Sequence, residues 1–200
     1  MRRQVEMGLQ VLAGFEDPDA SLEQYETPAG VASDILQFAW GNGDLDGTVL
    51  DLGSGTGVLG IGAAMYGARV VGVDIDRDAL TVARRNAASV DVEARTDWVH
   101  ADVRSLPVTR VDTVVMNPPF GAQNEGADRP FLRSADVADV AYTVHNAGSL
   151  GFVESFLDDS AEITDAFGTT LVLHRSFGFH DDDEREIDIE VYRIEFGRDV

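Results

Sequence analysis

From about residue 48 onward, apolar and polar positions alternate in the rhythm of strands and helices. "TVLDLG", Thr48 to Gly53, is a short apolar run closed by glycine, the pattern of a strand buried on both faces. Apolar spacing predicts a helix from about Val58 to Tyr66, and "RVVGVDI" predicts a second strand. Asp76 stands where a cap would start another helix, running to about Ala88. A third short strand is expected near "TDWVHAD", and the valine-rich "RVDTVVMN" reads as a central parallel strand. Next come a polar loop, a helix near Phe131 to Val137, "VAYTVHN" as a fifth strand and a helix from about Gly151 to Ala166. The last two strands, "TTLVLHRSF" and "EIDIEVYRIEF", are joined by "GFHDDDERE", which predicts an antiparallel pair. Ahead of this rhythm, residues 2 to 13 read as helix, and Phe15 to Pro28 as an irregular stretch containing "LEQYETP". The succession predicts an α/β fold in one domain over residues 1–200: an N-terminal helix and closing segment (1–30) ahead of a core (31–200).

The hydrophobic strand of "VVMNPPFGAQNEG" runs straight into Asn117-Pro118-Pro119-Phe120. Two prolines remove two backbone donors and fix two φ angles, so the chain must leave the sheet in one rigid shape. The expected result is a corner that offers the Asn117 amide oxygen and the Pro118 carbonyl as acceptors, with the ring of Phe120 beside them. Such a site suits a planar amine, whose lone pair is delocalised into a π-system and makes it a poor nucleophile. Two acceptors can hold its hydrogens and turn the lone pair out of plane, so catalysis here is positioning and electrostatics rather than strong base chemistry. A merely rigid turn is the structural alternative. The following "GAQNEGADRP", Gly121 to Pro130, is expected to be either a substrate lid or a mobile surface loop.

A second constellation, "DLGSGTGVLG", lies between the first strand and the first core helix. Alternating glycines there let a ligand approach the backbone where a helix start leaves N–H groups unpaired. Gly55, Gly57 and Gly60 also fit the dinucleotide pattern G-x-G-x-x-G, and Asp74 ends the second strand where either a NAD or an S-adenosylmethionine ribose would be held. Asp51 could hold the amino group of a methionine moiety and Asp102 could accept from an adenine. Either carboxylate could instead cap a helix. Together the three acidic residues favour S-adenosylmethionine.

Composition changes the picture in one respect. There are 36 acidic and 15 basic residues, a net charge of -21, and every basic residue is arginine. That is the surface of a protein kept hydrated at high salt, and it argues against broad phosphate binding as the main source of affinity. At about 1 M salt the Debye length is only ~3 Å, so the charge does not exclude a nucleic-acid partner. No cysteine is present, and His100, His145, His174 and His180 lack ligand spacing, so no intrinsic metal is expected. No apolar run of membrane-spanning length or secretory signal is evident, and a soluble, cytoplasmic protein is expected.

Together, "DLGSGTGVLGIGAAMYGA", "GVDIDRDALTVARRNA", "DTVVMNPPFG" and "LEQYETP" resemble the archaeal form of the methyltransferase-like protein 5 family of ribosomal-RNA adenine methyltransferases, and the likeness runs to "DIEVYRIEF". The resemblance implies a Rossmann-like class I fold: seven strands, mostly parallel, with helices on both faces and a last antiparallel strand. It implies methyl transfer from S-adenosylmethionine to the 6-amino group of an adenine in small-subunit ribosomal RNA. Gln24 and Thr27 would close over the cofactor; Gly53, Thr56, Val58, Asp74, Asp102 and Val103 match its contacts, and Asn117 to Phe120 the catalytic motif. It also implies a heterodimer with a small zinc-binding activator of the transfer-RNA methyltransferase subunit 112 type, added along a sheet edge. "HDDDERE" stands where relatives often carry a basic segment, and Ser54 and Thr56 stand where cysteines are common. A glutamine methyltransferase acting on a release factor, a non-catalytic cofactor-binding subunit and a NAD oxidoreductase remain as alternatives.

Overall fold

The computed structural model describes residues 1–121, 123–157, 159, 161–174 and 184–197. Its helices are α1 (Arg2–Leu9), α2 (Ala29–Gly41), α3 (Val58–Tyr66), α4 (Arg77–Ser89), α5 (Arg129–Ser134) and α6 (Leu150–Phe156). Its strands are β1 (Thr48–Leu52), β2 (Arg69–Asp74), β3 (Thr96–His100), β4 (Thr113–Met116), β5 (Val140–Asn146), β6 (Ala161–His174) and β7 (Glu184–Phe196). They form one sheet in the order β3-β2-β1-β4-β5-β7-β6. The first five pair in parallel and β7 runs antiparallel to both of its neighbours. This is the Rossmann-like architecture expected from the strand-helix rhythm and the resemblance. Among the described residues no helix is long and apolar enough to cross a membrane.

Strand periodicity sorts the core into two layers. On β4, Val115 joins the cluster packed by α1 to α4, whereas Val114 and Met116 join the one packed by α5 and α6. On β1, Leu50 and Leu52 face the second layer. Asp51 therefore shares the face of Val49 and lies beneath α3, buried to 1% exposure. The chain leaves β1 toward β2 on one side and β4 toward β5 on the other, so the carboxyl ends of β1 and β4 flank the switch point where open α/β sheets form a crevice.

Two segments differ from the sequence-based expectation. Residues 29–41 form α2, although no element was expected between the irregular stretch ending at Pro28 and the strand starting at Thr48. Val31, Ala32, Ile35, Leu36 and Ala39 repeat at helical spacing and are buried; each larger side chain contributes about 1.5–3 kcal/mol. Gly30 and Ser33 dilute the local propensity that would have marked the helix. The helix expected from Gly151 to Ala166 stops at Phe156, and β6 begins at Ala161. A bulge between Ile163 and Asp165 interrupts the two-residue period, so the strand does not read as one. Residues 175–183, most of the "GFHDDDERE" connection, lie outside the described residues.

Candidate active site

The glycine-rich loop leaves β1 at the switch point. Gly53, Gly55 and Gly57 all adopt left-handed φ values, 67°, 51° and 91°. Close approach adds to the demand at all three: a Cβ on Gly53 would stand 2.7 Å from Phe131, one on Gly55 2.9 Å from Phe15, and one on Gly57 2.7 Å from Trp98. Gly60 is needed for a different reason. Its N–H donates to Asp51 Oδ2 at 2.8 Å, and a Cβ there would press against the same carboxylate at 2.9 Å. Burial pushes the Asp51 carboxyl up to about 7, against the Gly60 hydrogen bond, which favours the charged form.

A cavity of about 300 Å³ opens beside this loop. Gln24, Gly53, Gly55, Asp74, Asp102, Val103, Asn117 and Pro119 all line it. Asp74, at the end of β2, accepts from the N–H groups of Gly55 and Asp76 at 2.7 and 2.8 Å, and burial raises its pKa. Asp102 is held differently, because hydrogen bonds from Arg104 pin its carboxylate and lower its pKa to about 2. A smaller chamber of about 40 Å³ adjoins the first, lined by Thr27, Asp51, Gly53, Gly55, Thr56, Val58 and Asn117 among others. The predicted site residues are thus brought together, except that Pro118 and Phe120 line neither cavity. Pro118 is buried, and Phe120 packs partly against the core.

Asn117 follows the last residue of β4 and belongs to both chambers. Its Nδ2 donates to the Thr27 hydroxyl at 3.0 Å, while its Oδ1 is buried with no hydrogen-bond partner. Ser54 Oγ, in the smaller chamber, is likewise buried and unpartnered. A buried acceptor left unmade costs about 1–3 kcal/mol, so its persistence at a cavity wall marks a place where a ligand supplies the partner.

The irregular segment that precedes α2 covers this site. Gln24 Nε2 donates to Asp76 Oδ2 at 2.6 Å, and its Oε1 accepts from the Asp19 N–H at 2.7 Å. Glu23 is buried in a left-handed conformation, φ 52° and ψ 45°, and accepts from the Gln123 N–H at 2.7 Å. Asn124 Nδ2 donates to the Ser21 carbonyl at 3.0 Å. Further back, Asn86 of α4 clasps both the N–H and the carbonyl of Ala13 and also bonds the Thr56 carbonyl, tying this segment to the glycine loop. Sequence reasoning missed Phe15, Glu23, Arg104 and Phe131. Only Arg104, two residues beyond an acidic strand end, carried a signal that could have found it.

The residues fit a nucleoside cofactor with a charged tail: glycines where side chains would collide, a carboxylate at the β2 end, and a second, buried carboxylate beneath the smaller chamber. Known proteins agree with this reading. The family described as the methyltransferase small domain matches over residues 31–180. The rRNA N(6)-adenosine-methyltransferase METTL5 of Danio rerio is 34% identical, covering 97% of this chain and 97% of that protein. An uncharacterized protein of Methanocaldococcus jannaschii is 35% identical over 97% of this chain and 94% of its own. The solved structure of a candidate RNA methyltransferase from Pyrococcus horikoshii has a TM-score of 0.91 at 36% identity, covering 98% of both chains. With matches of this extent, the chain belongs to the methyltransferase small domain family and, within it, to the METTL5-like methyltransferases.

Proposed function

We propose that this chain transfers a methyl group from S-adenosylmethionine to the 6-amino group of an adenine in small-subunit ribosomal RNA. The observation that carries the reading is the buried, unpartnered Oδ1 of Asn117 at the junction of the two chambers. An exocyclic amine carries two hydrogens; Asn117 Oδ1 would accept one, and the Pro118 carbonyl, whose residue is buried and lines neither chamber here, would have to turn toward the amine to accept the other and bring the lone pair out of the ring plane. S-adenosylmethionine would supply an electrophilic methyl on a positively charged sulfur. Asp74 would hold its ribose hydroxyls, Val103 and Asp102 its adenine, and Asp51 its ammonium across the smaller chamber. Gly53, Gly55, Thr56 and Val58 would shape the loop around it, with Gln24 and Thr27 closing over it. Phe120 and Pro119 would flank the target base, extracted from a loop or bulge. The METTL5 relative is named for ribosomal-RNA adenosine, which supports adenine over an amide nitrogen.

Transfer of labelled methyl to small ribosomal subunits, bare ribosomal RNA and release factor in parallel tests the reading. Label in an RNA adenine is the expected result, and label only in a release-factor glutamine would overturn it. We further propose a heterodimer with a small zinc-binding activator of the subunit 112 type, docked by strand addition along an edge of the sheet, β3 or β6. Co-purification from the host checks this, and a fully active native monomer would remove it.

A further inference from the structure

We infer that Thr27 is a positioning residue for Asn117, fixing which end of the side-chain amide faces the target. The inference rests on the proposed role of Asn117 as the acceptor for the substrate amine. An asparagine amide is nearly symmetric in shape and opposite in chemistry at its two ends: the oxygen only accepts and the nitrogen only donates. A target amine brings two donors. Only the orientation that leaves Oδ1 free to accept binds it; the rotated amide would set N–H against N–H.

In the structure Nδ2 is engaged by Thr27 Oγ1 at 3.0 Å, and Oδ1 is left buried and unpartnered. Thr27 comes from 90 residues away in the chain. It is held there by two constraints. Pro28, the residue just ahead of α2, restricts Thr27 to extended backbone and starts a helix whose apolar face is buried. On the other side, Glu23 and Gln24 anchor the same segment to Gln123 and Asp76. The hydroxyl is therefore a fixed partner on a rigid mount. Without it, rotation of the amide costs little, and a large share of the enzyme presents the wrong end.

The test compares Thr27→Val, which keeps the branched shape and removes the hydroxyl, with Thr27→Ser, which keeps the hydroxyl. Single-turnover methyl transfer to small ribosomal subunits is measured at saturating cofactor, and cofactor Kd by calorimetry. The expected result is a rate loss at saturating cofactor of about tenfold in Thr27→Val, the size of one neutral hydrogen bond, with Thr27→Ser restoring the rate to within about twofold; a weaker cofactor Kd in Thr27→Val does not account for the loss, because the assay is saturated. Unchanged rate at saturation with a weakened Kd would make Thr27 a cofactor contact only and overturn the inference. A double-mutant cycle separates the two further: in an Asn117→Ala background, Thr27→Val should cost nothing more, whereas an undiminished tenfold loss would show that Thr27 does not act through Asn117. The Asn117 side-chain amide is also followed by NMR, identified by its disappearance in Asn117→Ala. One protected amide proton in the unaltered protein, lost in Thr27→Val, is expected; equal protection in both would overturn the inference. If the unaltered protein methylates no RNA at all, the proposed function falls, and the NMR comparison still decides the placement of the amide.

Discussion

The two ends of the central strands handle buried polar groups in opposite ways. At the amino ends of β1, β4 and β5, Arg193 is surrounded by partners. Its guanidinium donates to Asp44 at 2.8 and 3.2 Å, to the Tyr142 hydroxyl at 3.1 Å and to Thr164 at 2.7 Å, and it pairs with Glu195. Tyr142 in turn donates to Asp44 and accepts from Asn42. Both tyrosine and arginine are held above their ordinary pKa, Arg193 chiefly by the Asp44 hydrogen bond and Tyr142 chiefly by burial. At the carboxyl ends, Asn117 Oδ1 and Ser54 Oγ have no partner and Asp51 is buried with its pKa raised. A closed network stabilises one arrangement and asks nothing of a ligand; an open set of acceptors costs stability until something binds. Buried polar chemistry alone therefore does not locate function, nor does an unfinished hydrogen bond by itself, since Trp98 Nε1 is also buried and unpartnered but lines neither chamber; acceptors left open at a cavity wall do.

The contrast can be broken or sharpened by substitution. Asp44→Ala should cost the most, about 3–5 kcal/mol in denaturant unfolding, because it removes the buried counter-charge of Arg193 and leaves the half-exposed Glu195 to face that guanidinium; cofactor affinity per folded molecule should stay the same. Asn117→Ala should do the reverse, leaving the melting midpoint in place while transfer drops by roughly a hundredfold or more, about 3 kcal/mol in the barrier, in a labelled-methyl assay. If both variants lost stability equally, the distinction between the two ends would fail.

Asp51 gives a smaller effect of a third kind. Its folded pKa of about 7 lies above that of an exposed aspartate, so between those values the folded chain binds a proton that the unfolded chain has released. Its contribution to stability is therefore greatest in acid, falls as pH rises toward 7 and then levels off. Asp51→Asn should remove that slope and raise stability at pH 8 by roughly 2 kcal/mol, while weakening cofactor binding. Parallel urea titrations at pH 5 and pH 8 measure the difference; identical slopes in the two proteins would contradict the assignment. Smallest is Glu23→Ala, which releases the Gln123 N–H: cofactor dissociation should accelerate by about 3- to 10-fold in stopped flow with a shift in melting too small to account for it.

How legible this was in the sequence depended on whether a signal was local. Strands such as β4 and the glycine loop advertise themselves, because valine continuity and positive φ are demands on neighbouring residues. The acidic ends of β1 and β2 could be placed as soon as the strands were. By contrast, the Thr27 and Glu23 contacts link positions 90 and 100 residues apart, and nothing in either stretch announces the other. Phe15 and Phe131 are ordinary aromatics until the fold sets them over Gly55 and Gly53. The lost helix α2 and the shortened α6 were failures of pattern, one hidden by weak helix formers and the other by the bulge in β6.

The covering segment also fixes the order in which a newly made chain can finish folding. Ala13, Ser21, Glu23, Gln24 and Thr27 find their partners at Asn86, Asn124, Gln123, Asp76 and Asn117. At roughly 5–20 residues per second of synthesis, the segment spanning Ala13 to Thr27 must wait on the order of 5–20 s for the last of them to emerge. The roof of the crevice is translated well before the residues that hold it down, so an unfinished chain exposes the glycine loop without its cover.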